Sequence, residues 1–179
     1  ASANELATSF RIIPDSEIVN GPAVKDFDIA SIVWQFNGKL NGYEEEIADG
    51  TILSGAEIVQ RVANEQSVNP RLLLALVEHQ SGCLRSRNED CDLEKYPLGL
   101  INSKQQGLYK QLSWAANELL RGSGLWEKSL LAVWTLADGD VMRIDASINA
   151  GTAGLQHLFS LIQGKSDWKQ TVSETGFYQ

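Results

Sequence analysis

Glu78, His79, Gln80 and Ser81 follow directly on the apolar run Leu72–Val77, and they are the residues of this chain best suited to chemistry. A carboxyl that leaves an apolar helix can sit in an apolar pocket, where its pKa rises and it keeps a proton near neutrality. Such a group can donate that proton to a leaving oxygen. Glu78 is therefore the candidate acid, with Gln80 and Ser81 as substrate-positioning groups. The competing reading makes the same residues the wet end of a helix. On an ideal helix two positions turn about 200°, so Glu78 and Gln80 leave on nearly opposite faces. Both line one cleft only if the helix end is distorted.

Other chemistries have less support. His79 and His157 are the only histidines, and no acidic or Cys partner stands at ligand spacing to either, so no metal site is expected. Ser81 and the two cysteines lack a matching His base. No Gly-rich phosphate loop is present, and no cofactor is expected. Glu89, Asp90, Asp92 and Glu94 crowd the stretch after the helix. They supply either a second carboxylate or a solvated acidic surface. Tyr96 and Tyr109 either face sugar rings or pack as ordinary aromatics. Trp34, Trp114, Trp126, Trp134 and Trp168 read as core.

The elements that must position these groups follow from local signals. Residues 1–25 are irregular, broken by Pro14, Gly21 and Pro22. Phe27–Phe36 reads as an amphipathic helix ending near Gly38. Tyr43–Ile52 is acidic and turn-like. Ser54-Gly55-Ala56-Glu57 is a capping box that opens a helix. Asn69-Pro70 opens another, because Asn is a good N-cap and Pro at N1 gives up an amide without a partner. That helix is apolar on every side through Val77, belongs in the middle of a domain, and ends at Ser81-Gly82. Gln106–Leu120 reads as a helix closed by Gly122. Asp138-Gly139 between the apolar runs Leu130–Leu136 and Val141–Ile144 predicts a β-hairpin. Asn149 begins a last clear helix, and a short segment around Trp168 follows.

The fold class expected is mainly α, built around a buried central helix, with one small hairpin. Residues 1–50 form an N-terminal extension and first helix packed on the core, and residues 51–179 form the main part of a single structural domain. With 23 acidic against 15 basic residues the net charge is −8, which disfavours phosphate-neutralising nucleic-acid binding. No stretch approaches the roughly 20 apolar residues of a membrane helix. Cys83 and Cys91 flank a polar loop with no common zinc spacing. A local disulfide, and with it an oxidising compartment, fits them better than two free thiols. The Ala1-Ser2-Ala3 opening, without an initiator Met, reads as a processed or excised piece.

Asn69-Pro70-Arg71 through Glu78-His79-Gln80-Ser81-Gly82 resembles the catalytic-helix segment of the lysozyme-like superfamily, in particular bacterial lytic transglycosylases and peptidoglycan glucosaminidases. Gly107–Ala116 and Asn149–Leu155 agree with wall-associated members, and the likeness covers roughly residues 54–163 by element order. It implies a lysozyme-like helical domain, a general-acid Glu and a cell-wall glycan partner. Aligned without gaps, that Glu falls on Gln80, which cannot supply a proton, and the nearest acid is Glu78. The resemblance thus implies a secreted or cell-envelope domain, part of a longer multidomain chain, that cleaves peptidoglycan with Glu78 as acid. The alternative is a non-catalytic glycan-binding or spacer module in which Gln80 marks the lost acid.

Overall fold

Ser54 accepts the Glu57 amide and the Glu57 carboxylate accepts the Ser54 amide, so the capping box forms as expected and opens helix α2, Gly55–Gln66. A computed structural model describes residues 5–179, apart from the side chain of Ala23. The Ala1–Ala3 opening lies outside the described residues. Before α2 come α1, Ile29–Phe36, capped by Asp28 and closed by a left-handed Asn37, and a small hairpin of β1, Glu44–Glu46, and β2, Ile52–Ser54. After it come α3, Pro70–Ser81, α4, Leu108–Glu127, the hairpin of β3, Val133–Thr135, and β4, Val141–Arg143, then α5, Ala150–Ser160, and α6, Lys165–Thr171. The chain is mainly helical with two small antiparallel hairpins. No helix among the described residues is long and apolar enough to cross a membrane.

The chain divides into two compact units: Val19–Ala116, and Ala1–Ile18 together with Asn117–Gln179. In the first, α1 packs on α2 and α2 on α3, and Ile58, Val59, Val62, Leu73, Leu76 and Val77 are wholly buried. Helix α3 starts at Asn69-Pro70 and ends on a left-handed Gly82, φ 69°. It is not enclosed on every side. Arg71, Ala75 and His79 are exposed, and their i, i+4, i+8 spacing makes one solvent-facing stripe. The hairpin of β1 and β2 replaces the expected acidic turn. Glu44 and Glu46 face water while Glu45 is half-buried, the two-residue alternation of a strand.

In the second unit, Trp134 pairs across the hairpin with Met142, and both are buried. Gly139 supplies the left-handed turn residue, φ 87°. The chain's own N-terminal stretch lies beside β4: Arg143 donates its amide to the Glu5 carbonyl and accepts from the Ala7 amide, each at 2.8 Å. The Glu5 carboxylate meets Lys165 and Lys169 on α6, which pull its pKa down to about 2. Both buried indoles find partners on α5, with Trp134 Nε1 donating to Gln156 Oε1 at 2.8 Å and Trp168 Nε1 to the Gln156 carbonyl at 3.0 Å.

Of two expected helix ends, the start at Asn149 is found and the end at Gly122 needs correction. Asn149 stands at the start of α5, where its Oδ1 accepts from the Thr152 hydroxyl at 2.7 Å while its amide donates to the Ile13 carbonyl at 2.7 Å and to Asp15 at 2.6 Å. The α5 amide of Gly151 is instead taken by Asp15, 2.8 Å away. Gly122 does not close α4, which continues to Glu127. Glycine stands there because α5 comes close: a Cβ on Gly122 would lie 2.4 Å from the His157 Cβ. From α5, a Cβ on Gly154 would lie 2.6 Å from the Leu119 carbonyl oxygen. Among the five tryptophans, Trp134 and Trp168 are buried, as expected of core residues, whereas Trp34 is 74% exposed.

The close approach at Gly122 is testable. Alanine is the better helix former by about 0.8–1 kcal/mol, yet Gly122→Ala should lower stability, by about 1–3 kcal/mol, because the added methyl overpacks the crossing. Urea unfolding measures this, and a gain in stability would mean that α4 and α5 are not in firm contact there.

Candidate functional site

Helix α3 ends where its polar residues can reach the loop that follows. The Glu78 Oε2 atom accepts from two successive backbone amides, Leu84 at 3.1 Å and Arg85 at 3.2 Å. Its Oε1 lies 3.8 Å from the Arg85 guanidinium, and the side chain is 25% exposed. The same guanidinium lies over the Phe36 ring, 5.0 Å from its centroid. Ser81 donates its hydroxyl to the Val77 carbonyl at 2.7 Å and accepts from the Cys83 amide at 3.2 Å. Gln80 donates from Nε2 to the Leu98 carbonyl at 3.0 Å. Each of the three candidate groups at the tip of α3 thus holds backbone.

The loop they hold is tied on its other side as well. Cys83 and Cys91 form a disulfide, with Cα atoms 5.4 Å apart, and both are buried. Gly38 and Leu40 donate their amides to the Leu84 and Cys83 carbonyls, each at 3.0 Å, and Lys39 donates to the Ser86 carbonyl at 2.8 Å. The Lys39 ammonium reaches the Cys91 carbonyl at 2.6 Å. A Cβ on Gly38 would lie 2.3 Å from the Leu84 carbonyl oxygen, so only glycine allows the two strands of backbone to come this close.

Tyr96 and Tyr109 belong to other contacts. The Tyr96 hydroxyl accepts from Gln106 at 3.1 Å. Tyr109 stands in the first turn of α4, where its amide donates to Glu45 at 3.3 Å and its hydroxyl to Glu65 at 2.6 Å. Arg61 pairs with Glu65 at 2.5 Å and with Asp49 at 3.4 Å. Its hydrogen bond, followed by that from Tyr109, holds Glu65 below the ordinary carboxylate range. Tyr43 points its hydroxyl at Glu45, 2.9 Å away, and burial followed by that carboxylate pushes its pKa up. This Tyr43–Glu45–Tyr109–Glu65 chain of contacts was missed in the sequence. The run Glu44-Glu45-Glu46 gave no signal of it, because three identical residues do not reveal which acid a strand turns inward.

The remaining candidates do not gather into a site. Glu89 and Asp90 are exposed on the disulfide loop, and Asp92 accepts from the Glu94 and Lys95 amides at 2.8 and 3.2 Å. His157 meets Glu118 at 2.7 Å, away in sequence from His79. Among the described residues no group of three or more His, Cys, Asp or Glu side chains could hold a metal ion. The arrangement at the tip of α3 therefore does one thing well: it locks a disulfide loop onto a helix end. Of the two Glu78 oxygens, Oε2 is occupied by the two amides, and Oε1 faces the Arg85 guanidinium.

Removing the acceptor should cost stability. Glu78→Ala leaves two amides without their partner and should lose about 1–3 kcal/mol, while Glu78→Gln, which keeps an acceptor oxygen, should lose less. Equal stability of Glu78→Ala and the parent in denaturant unfolding would mean the contact holds nothing. Replacing both cysteines by serine should cost about 2–3 kcal/mol, the loop-closure value for so short a loop, and should loosen amide exchange in Leu84–Asp90 before it does so in α2.

No curated protein and no solved structure matches this chain. A family profile does, over residues 11–179, that of the family described as LasA, N-terminal domain. That match spans nearly the whole chain, and the protein belongs to the LasA N-terminal domain family.

Proposed function

We propose that this chain is a non-catalytic accessory module of a longer, extracytoplasmic protein, working by contact and not by bond cleavage. The observation that carries this reading is the employment of Glu78. Its carboxylate accepts two loop amides and faces Arg85. The position aligned with the acid of lysozyme-like enzymes is Gln80, and its amide is bonded to the Leu98 carbonyl. A general acid needs a proton and a path to a leaving oxygen; Gln80 has no acidic proton to give, and one oxygen of Glu78 is taken up in holding the loop.

Two further features support the setting. The buried Cys83–Cys91 disulfide suits an oxidising compartment. The family description, an N-terminal domain, suits a chain with more protein beyond this module. Peptidoglycan stays the glycan to test, since the α3 segment resembles wall-cleaving enzymes.

Zymography on peptidoglycan separates the readings. The expected result is no clearing by the parent chain, and none by Glu78→Gln. Clearing by the parent that Glu78→Gln abolishes, with the fold retained by circular dichroism, would replace the accessory module with a glycosidase that uses Glu78 as acid. Sedimentation with insoluble cell wall adds a second readout, in which retention without clearing identifies the module as glycan-binding and not as a spacer.

A further inference from the structure

The two outer edges of the hairpin of β3 and β4 differ. Beside β4 the chain supplies its own neighbour, residues 5–7, which exchange backbone bonds with Arg143. Among the described residues β3 has no second neighbour and stands at the edge of its sheet. The Ile144 amide donates to the Ala132 carbonyl at 3.0 Å, and the Leu136 amide to the Asp140 carbonyl at 2.8 Å. Residues 132 and 136 therefore turn their main chain toward β4. Alternate residues of an antiparallel strand turn theirs the other way, so the amides and carbonyls of Val133 and Thr135 face outward. Both residues are exposed, Val133 by 41%.

An open edge invites another strand, and proteins blunt it with charge, proline or a bulge. The first hairpin follows that rule, because the exposed residues of β1 are Glu44 and Glu46. The exposed residues of β3 are Val133 and Thr135. Residues 130–137 contain no charged residue, no Pro and no Gly, and Leu130 is 65% exposed. In a chain that carries −8, an uncharged edge is where a second copy approaches against the least repulsion. The edge is also complementary to itself. About a two-fold axis beside Trp134, Val133 comes opposite the partner's Thr135, and Thr135 opposite the partner's Val133. Amide then faces carbonyl in each pair, and β-branched side chains lie next to each other on the exposed face. Lys128 precedes the strand, and Asp138 and Asp140 follow it. Antiparallel pairing therefore brings each lysine to the end where the other copy's aspartates stand, while Glu127 lies one residue further back, on α4. Parallel pairing would set like charges together.

We propose that two copies of this chain pair antiparallel through the outer edges of their β3 strands. The pair is closed. Each copy has already used its other sheet edge on its own residues 5–7, whose Glu5 is tied to Lys165 and Lys169. The assembly therefore stops at two copies and does not grow into a filament. The edge is short, and a contact of this size buries less than the roughly 1,200 Å² of a standard interface. Association is accordingly weak and reversible, between the micromolar and millimolar ranges. It stands apart from any contact with glycan, so no outcome of the zymogram bears on it.

Sedimentation equilibrium of the whole chain across a micromolar-to-millimolar concentration series tests this, with amide exchange by NMR as a second readout. Val133→Pro removes an amide that faces away from β4, so the ladder within the hairpin keeps its bonds. Thr135→Lys places a charge on the edge. It also lowers the net negative charge, so a general charge effect would strengthen association where the proposal expects weakening. Ile52→Lys changes an exposed apolar residue of the other hairpin, 64% exposed, and serves as the control. Circular dichroism checks that all three stay folded. The expected result is a reversible monomer–dimer equilibrium, weakened about tenfold or more by Val133→Pro and by Thr135→Lys and unchanged by Ile52→Lys. The Val133 and Thr135 amides of the parent should exchange more slowly as concentration rises. A monomer at every concentration, assemblies larger than two, equal weakening by Ile52→Lys, undiminished association of Thr135→Lys, or protection gained elsewhere and not at Val133 and Thr135 would each overturn the proposal.

Discussion

A helix that is apolar around most of its circumference has to be wrapped. Helix α3 imposes that condition on residues 19–116, because up to Val77 only Arg71 and Ala75 are exposed, and the helix reaches water elsewhere only at its polar tip. Leu73, Leu76 and Val77 are completely buried, and burying each is worth about 1.5–3 kcal/mol. The same burial creates a problem at the C-terminal end, where a helix leaves carbonyls without intrahelical partners and the following amides must turn away. Ser81, Gly82 and Glu78 answer it together. The glycine turns left-handed, the serine bridges the last turn to Cys83, and the glutamate collects the next two amides. The polar cluster that looks most like chemistry in the sequence is thus required by the packing of the helix that precedes it.

Local signals were legible because they depend on atoms a few residues apart. Ser54 with Glu57, Asn69 with Pro70, and Asp138 with Gly139 each state their own geometry, and each is found as expected. The failures share one cause, which is that a distant segment decided the outcome. Gly122 looks like a helix terminator until α5 is placed against it. The hairpin of β1 and β2 was hidden because a run of three glutamates has poor strand propensity. What holds it is the half-buried middle acid, bonded to Tyr43 and to the Tyr109 amide.

The candidate site was legible in residue type and illegible in employment. Glu78, Gln80 and Ser81 were correctly placed at the polar tip of an apolar helix, and Cys83 with Cys91 in a bridged loop. Which backbone groups would occupy their side chains depends on the path of that loop, and on residues 38–40 beside it. An Asn-Pro start, an apolar middle and a polar Ser-Gly end are also what any buried helix with good caps presents. A pattern of that kind therefore says more about how a helix begins and stops than about what it catalyses.

The division of the chain bears on the order of events during synthesis. Residues 19–116 form one uninterrupted unit, while the other unit joins residues 1–18 to 117–179. Ile12 donates its amide to Thr152, 140 positions away, and Arg11 reaches the Ser147 carbonyl across 136. Contacts so remote in sequence form late, because their loop entropy must be met before they contribute. On a ribosome, the uninterrupted unit has all its residues available while the first 18 still wait for their partners. Until α5 and the hairpin before it have been made, Arg11 and Ile12 lack the groups they bond in the finished unit, and the apolar residues around them are open to contacts with other chains.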